Sequence, residues 1–164
     1  METALKPIAD YLLGTFEYET TLTKGVFQAV PNDHLDYHPD AKSKTALVLL
    51  RHIALSDPWL VNGVADGRLP SHPDDTAENG IRTPADALAR YEQAMPKAIA
   101  RAKAASEQDL AREIDFLGML MISGIDLLSL ALRHSIHHRG QLATYLRAMG
   151  GKVPPIYGNS ADSA

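Results

Sequence analysis

Cysteine is absent from the 164 residues, so disulfides, thiolate metal ligands and cysteine nucleophiles are excluded together. Positive charge is scarce too. Sixteen Lys and Arg face twenty Asp and Glu, a formal net charge of −4 that leaves no basic face for nucleic acid. The same balance gives no reason to expect a membrane surface as partner. No apolar run approaches the roughly 18 residues of a membrane span, and the start of the chain lacks the basic and apolar regions of a secretory signal. The expected location is therefore the cytoplasm.

What is present suits a folded domain. Hydrophobic residues are 45% and charged residues 22% of the chain, ordinary values for a globular protein. The length is enough to bury a core without disulfides or a structural metal. With no internal repeat and no linker-like stretch, one domain over 1–164 is expected.

Apolar spacing predicts four helices joined by long loops, an all-α bundle with an irregular C-terminal tail. The first covers Thr3 to about Val30, with Leu5, Ile8, Leu12, Leu13, Phe16, Leu22, Val26 and Phe27 mostly three or four apart and Pro31 as its end. The second covers about Lys44 to Val64, with Ser43 as N-cap and Pro58 expected to kink or restart it, Ser56 or Asp57 capping the new turn. Thr83-Pro84-Ala85-Asp86 opens the third, whose stripe Leu88, Tyr91, Met95 and Ile99 predicts packing alone, with a bend at Pro96. After Ser106 the pattern is irregular, and Asp115–Met119 could form extended structure or a short hairpin. The last helix runs from about Ile125 to Ala148 and stops at Gly150-Gly151.

Three of the seven histidines fall within five positions of that last helix, in His134-Ser135-Ile136-His137-His138. Residues four apart share a helix face, so His134 and His138 point the same way, at the margin of the apolar arc of Leu127, Ala131, Leu142, Tyr145 and Met149. His137 falls on the opposite, polar arc. An i, i+4 imidazole pair can converge on one divalent ion at about 2.0–2.1 Å. The zinc-protease pattern H-E-x-x-H shares this spacing, but position 135 is Ser, not Glu. In the second helix His52 shares a face with Val48, Leu55, Ser56 and Trp59, at or beside the core.

The remaining histidines lie in polar connections. His34 and His38 are in the loop 31–43, and His72 is in the turn-rich segment 63–82, long enough to be either mobile or part of a site. Surface exposure is the expectation for His72, with a lid role as the alternative. The tail residues Pro154, Pro155, Ile156 and Tyr157 are suited to lie over an apolar groove.

The combination of Leu49-Leu50-Arg51-His52-Ile53, His134-Ser-Ile-His-His-Arg-Gly-Gln-Leu142 and Met149-Gly-Gly-Lys-Val-Pro-Pro-Ile-Tyr-Gly158 resembles the DinB/YfiT-like family of metalloenzymes. The resemblance extends over the whole chain in helix order and loop placement, and its specific part is the last helix and tail. It implies a four-helix bundle in which His52, His134 and His138 hold a divalent metal, often zinc or nickel. His137 matches a recurrent family position beside the last ligand and is not itself carried over as a ligand.

The resemblance also implies a metal-dependent enzyme acting on a small molecule, by hydrolysis or as a thiol S-transferase that uses a low-molecular-weight thiol. The alternative is a non-catalytic, stress-associated binding bundle with a structural or vestigial metal. A homodimer is expected from the resemblance and from the apolar residues of the first and third helices. No catalytic acid or base stands out: Tyr37, His38, His72 and Tyr145 are equivalent candidates, and Asp57 would approach the metal only if the Pro58 kink redirected it.

Overall fold

The computed structural model describes residues 4–76 and 79–163. Thr3, Ala77, Glu78 and Ala164, which belong to the expected first helix, the long loop and the tail, lie outside the described residues. Helix α1 spans Lys6–Ala29 with Pro7 in its first turn, and buries Leu13, Phe16, Val26 and Phe27. It gives way to extended backbone at Val30, before Pro31.

Helix α2 spans Ala46–Asp66. Its N-cap is Thr45, whose hydroxyl accepts from the Val48 amide, and not Ser43. Ser43 lies in the preceding turn, where its hydroxyl donates to Asp40. The helix runs through Pro58 without a restart, so Ser56 and Asp57 cap no new turn. A missing proline N–H costs one hydrogen bond. Burial of α2 from Leu49 to Val64 holds the helix together across that gap, and both side chains are left to face inward. Gly67 then takes the left-handed C-cap conformation with φ 64°, turning the chain into the loop that follows.

Helix α3 spans Pro84–Lys103 and opens with a reciprocal capping box between Thr83 and Asp86. A five-residue helix, α4 at Glu107–Ala111, was not expected from the irregular spacing there. It is held by a second capping box, Ser106 with Asp109. The antiparallel strands β1 (Glu113–Phe116) and β2 (Leu120–Ser123) follow, pairing Glu113 with Ser123 and Phe116 with Leu120. Their turn places both Leu117 and Gly118 at positive φ. The fold is thus a helical bundle with one small hairpin. Helix α5 spans Gly124–Tyr145, with the Ser123 hydroxyl accepting from the Asp126 amide.

In the bundle, α1 and α2 each pack against both α3 and α5. Helices α2 and α5 are therefore neighbours, which brings His52 opposite the histidines of α5. The apolar stripe of α3 is spent on the core, where Tyr91, Met95 and Ile99 are buried. On α1, by contrast, Ile8, Tyr11 and Tyr18 remain exposed. Of the tail residues expected to lie over an apolar groove, Ile156 packs on the core beside Val153, whereas Pro155 and Tyr157 are exposed. Among the described residues no helix is long and apolar enough to cross a membrane.

Candidate metal centre

The imidazoles of His52, His134 and His138 meet between α2 and α5. Nε2 of His52 lies 3.0 Å from Nε2 of His134 and 3.2 Å from Nε2 of His138. Three nitrogens at about 2.0–2.1 Å from a common ion would stand about 2.9 Å apart at right angles and about 3.4 Å apart at tetrahedral angles. The two observed separations fall within that interval. All three residues could hold a metal ion, each offering one nitrogen.

Acceptors at the outward nitrogens favour one tautomer of each ring. His52 Nδ1 donates to Asp75 Oδ2 at 2.7 Å, His134 Nδ1 to Asp57 Oδ1 at 3.0 Å, and His138 Nδ1 to Gln141 Oε1 at 2.7 Å. A neutral imidazole carries a single N–H. With that hydrogen on Nδ1, each Nε2 presents a lone pair to the other two, and no hydrogen lies between them. Three converging lone pairs repel, and a cation in their midst removes the repulsion. The donor set therefore fits a divalent metal, with the backing that metal-ligating histidines ordinarily have.

Electrostatics favour the same state. Burial, with His138, His134 and Lys44 nearby, lowers the pKa of His52 to about 3, against the pull of Asp75 in the other direction. Burial and His134 lower His138 to about 4. Both rings are thus neutral, as ligands must be. Asp75 is pushed up by its burial, but the hydrogen bond and charge of Lys44, followed by His52, leave it below the usual carboxylate range. Lys44 Nζ lies 2.7 Å from Asp75 Oδ2.

The side chains behind the three imidazoles come from several elements. Asp57, fully buried, does not approach a metal; one oxygen takes the His134 N–H and the other accepts from the Tyr91 hydroxyl at 3.1 Å. Burial and the nearby Asp57 hold Tyr91 well above its ordinary pKa, so it remains a donor. Helix α3, read from its apolar stripe as packing alone, thus also braces the site. Gln141 sits one turn after His138, a spacing that the sequence could have offered as a partner. For Asp75 the only signal was a long turn-rich loop. Tyr91 carried a weaker one, since a core tyrosine needs a partner for its hydroxyl.

The acid–base candidates divide. His72 is exposed, as expected, yet its ring lies 5.6 Å from that of His52 and 5.1 Å from that of Trp59, with Nε2 3.1 Å from Ser56 Oγ. His38 Nδ1 donates to the Asp40 carbonyl at 2.6 Å in its own loop. Tyr37 and Tyr145 pack edge to face, and the Tyr145 hydroxyl donates to the Lys44 carbonyl. His137 is exposed beside His138.

Comparison with known proteins agrees with this architecture. Residues 1–164 match the DinB family. YjoA of Bacillus subtilis is 29% identical over 152 residues, covering 91% of this chain and 96% of that protein. YrdA of the same organism is 28% identical over 156 residues, covering 91% and 87%. The crystal structure of YjoA superposes with TM-score 0.71 at 27% identity, over 92% of this chain and 99% of that one. YfiT of Bacillus subtilis, described as a probable metal-dependent hydrolase with an unusual four-helix bundle topology, superposes with TM-score 0.73 at 18% identity, over 93% of each chain. At that identity YfiT speaks for the fold alone.

Proposed function

The chain belongs to the DinB family, and from that membership and its converging imidazoles we propose that it is a divalent-metal-dependent enzyme acting on a small molecule. His52, His134 and His138 hold the ion, and zinc or nickel suits three imidazole nitrogens best. The observation that carries this reading is the set of three Nε2 lone pairs turned toward one point while every Nδ1 is occupied. Three protein ligands leave coordination positions open, the pattern of a catalytic site and not of a closed structural one.

Bound there, the metal would act as a Lewis acid toward a substrate atom and make a nucleophile available at neutral pH. The chain's own residues do the rest. Asp57, Asp75 and Gln141 keep the three rings in one tautomer and orientation, and Tyr91 keeps Asp57 aimed. The reaction class is transfer of a group to water or to a low-molecular-weight thiol. Hydrolysis, the activity in the description given to YfiT, is the first of the two to test.

Metal analysis of protein purified without a histidine tag tests the proposal. About one divalent ion per chain is expected, lost in both His134→Ala and His138→Ala, with metal-dependent turnover of ester, amide or thiol-transfer substrates by the native protein alone. Absence of metal after incubation with zinc, nickel and manganese would sink the reading in favour of a non-catalytic binding bundle.

A further inference from the structure

Residues 68–76 form no regular secondary structure, and among them only Asp75 is buried. What orders the segment is a row of side chains from α2 and its approach. Trp59 Nε1 donates to the Pro70 carbonyl at 3.2 Å, Ser56 Oγ meets His72 Nε2 at 3.1 Å, and His52 Nδ1 and Lys44 Nζ both reach Asp75 Oδ2 at 2.7 Å. Arg51 closes the row on the Thr76 carbonyl at 3.4 Å. His52, Ser56 and Trp59 are spaced four and three apart and so share one face of the helix.

We propose that residues 68–76 are a metal-responsive strap and that Asp75 is the positioning residue through which metal at the three histidines holds it closed. The inference rests on the metal-centre reading above. A metal on His52 Nε2 requires the proton on Nδ1, the tautomer that donates to Asp75. Without metal the Nε2–H tautomer competes with it, because its hydrogen can be donated to His134 Nε2 at 3.0 Å and relieve the crowding of lone pairs. The Nε2–H form turns an Nδ1 lone pair toward the Asp75 carboxylate, and two acceptors then face each other across the contact that closes the strap. Metal thus selects the state in which the strap is anchored. By linkage, the factor by which metal favours the closed strap equals the factor by which the closed strap raises metal affinity.

Hydrogen exchange of the full chain, read by mass spectrometry with and without Zn²⁺, tests this alongside metal affinity by titration. In the native protein Zn²⁺ should slow exchange in 68–76 about tenfold, while the exposed loop 31–43 is unaffected. Asp75→Ala should still bind Zn²⁺, about tenfold more weakly as expected for loss of a partner behind a ligand, and show no metal-dependent slowing. Asp75→Asn, which keeps an acceptor oxygen, should recover part of both effects. Native protein that binds Zn²⁺ with unchanged exchange in 68–76, or Asp75→Ala that binds as tightly as native, overturns the strap and leaves the metal centre standing. Failure of the native protein to bind Zn²⁺, or binding unaffected by His134→Ala, overturns both and is told apart by the metal titration itself.

Discussion

In the absence of metal, His52 and His138 make the fold less stable in mild acid. Their folded pKa values lie near 3 and 4, against an ordinary 6.5 in the unfolded chain. Between those limits the unfolded state binds more protons than the folded one, so acid favours unfolding. The contribution of the two rings to stability is complete above about pH 6.5, declines as pH falls and levels off below about 3. Urea unfolding of the chelator-treated protein should therefore show a falling midpoint from about pH 7 to about pH 4.5, a range above most carboxylate titration. Replacing both residues with glutamine should flatten that slope. An unchanged slope would mean that the two rings are protonated alike in both states.

At the scale of elements, the hairpin turn has one residue out of keeping with its backbone. Leu117 has φ 57° and Gly118 φ 73° in the turn that the Met119 amide closes on the Phe116 carbonyl at 3.0 Å, the pair of positive values that a type I′ turn demands. Gly118 accepts this freely, and its amide donates to Asp115 Oδ1 at 2.7 Å. A leucine there costs of order 1 kcal/mol, and its side chain is 42% exposed, so packing repays little. Leu117→Asn, giving the favoured Asn-Gly pair, should raise stability by about 0.5–1 kcal/mol. Thermal melting would register that as an increase of about 1–4 °C. A lower melting temperature would show that Leu117 packs better than its exposure indicates.

Legibility in the sequence followed how local each signal was. The long helices announced themselves through apolar spacing, and Thr83-Pro84 and Gly150-Gly151 marked ends within a few residues of those observed. Helix α4 and Thr45 as cap were missed because a short turn and a choice between neighbouring hydroxyls leave almost no periodic trace. In the site, His134 and His138 were legible because i, i+4 spacing fixes a shared face. His52 needed the family resemblance as well, since one histidine on an apolar face has many uses. Asp75 lies 23 residues from the histidine it orients, and Asp57 lies 77 residues from His134. Contacts that far apart are set by tertiary packing, which no local pattern encodes.

At the scale of the whole molecule, a buried ion pair distinct from the three-histidine cluster ties the tail to the bundle. Arg139, next to His138 but turned to the other side of α5, is 1% exposed and bonds both the carboxylate and the backbone carbonyl of Glu19 on α1. The Tyr157 hydroxyl joins them, accepting from Arg139 Nη2 at 2.7 Å and donating to Glu19 Oε2 at 2.8 Å. Three segments distant in sequence thereby share one charge pair. A buried pair adds little over an apolar replacement, but removal of one partner strands the other charge without water. Glu19→Ala should accordingly cost about 3–5 kcal/mol in urea unfolding, far more than Tyr157→Phe, which leaves the charges paired and should cost about 1–2 kcal/mol. Pairing Glu19→Leu with Arg139→Met should recover most of the loss, because the charge and its counter-charge leave together. If Glu19→Ala alone cost no more than Tyr157→Phe, Arg139 would have to find water or another acceptor when unpaired, and the clasp would be a surface contact in effect. The same comparison bears on the site: Arg139 follows His138 directly, so a clasp of the expected strength holds that turn of α5 in place and presents His138 toward His52 and His134.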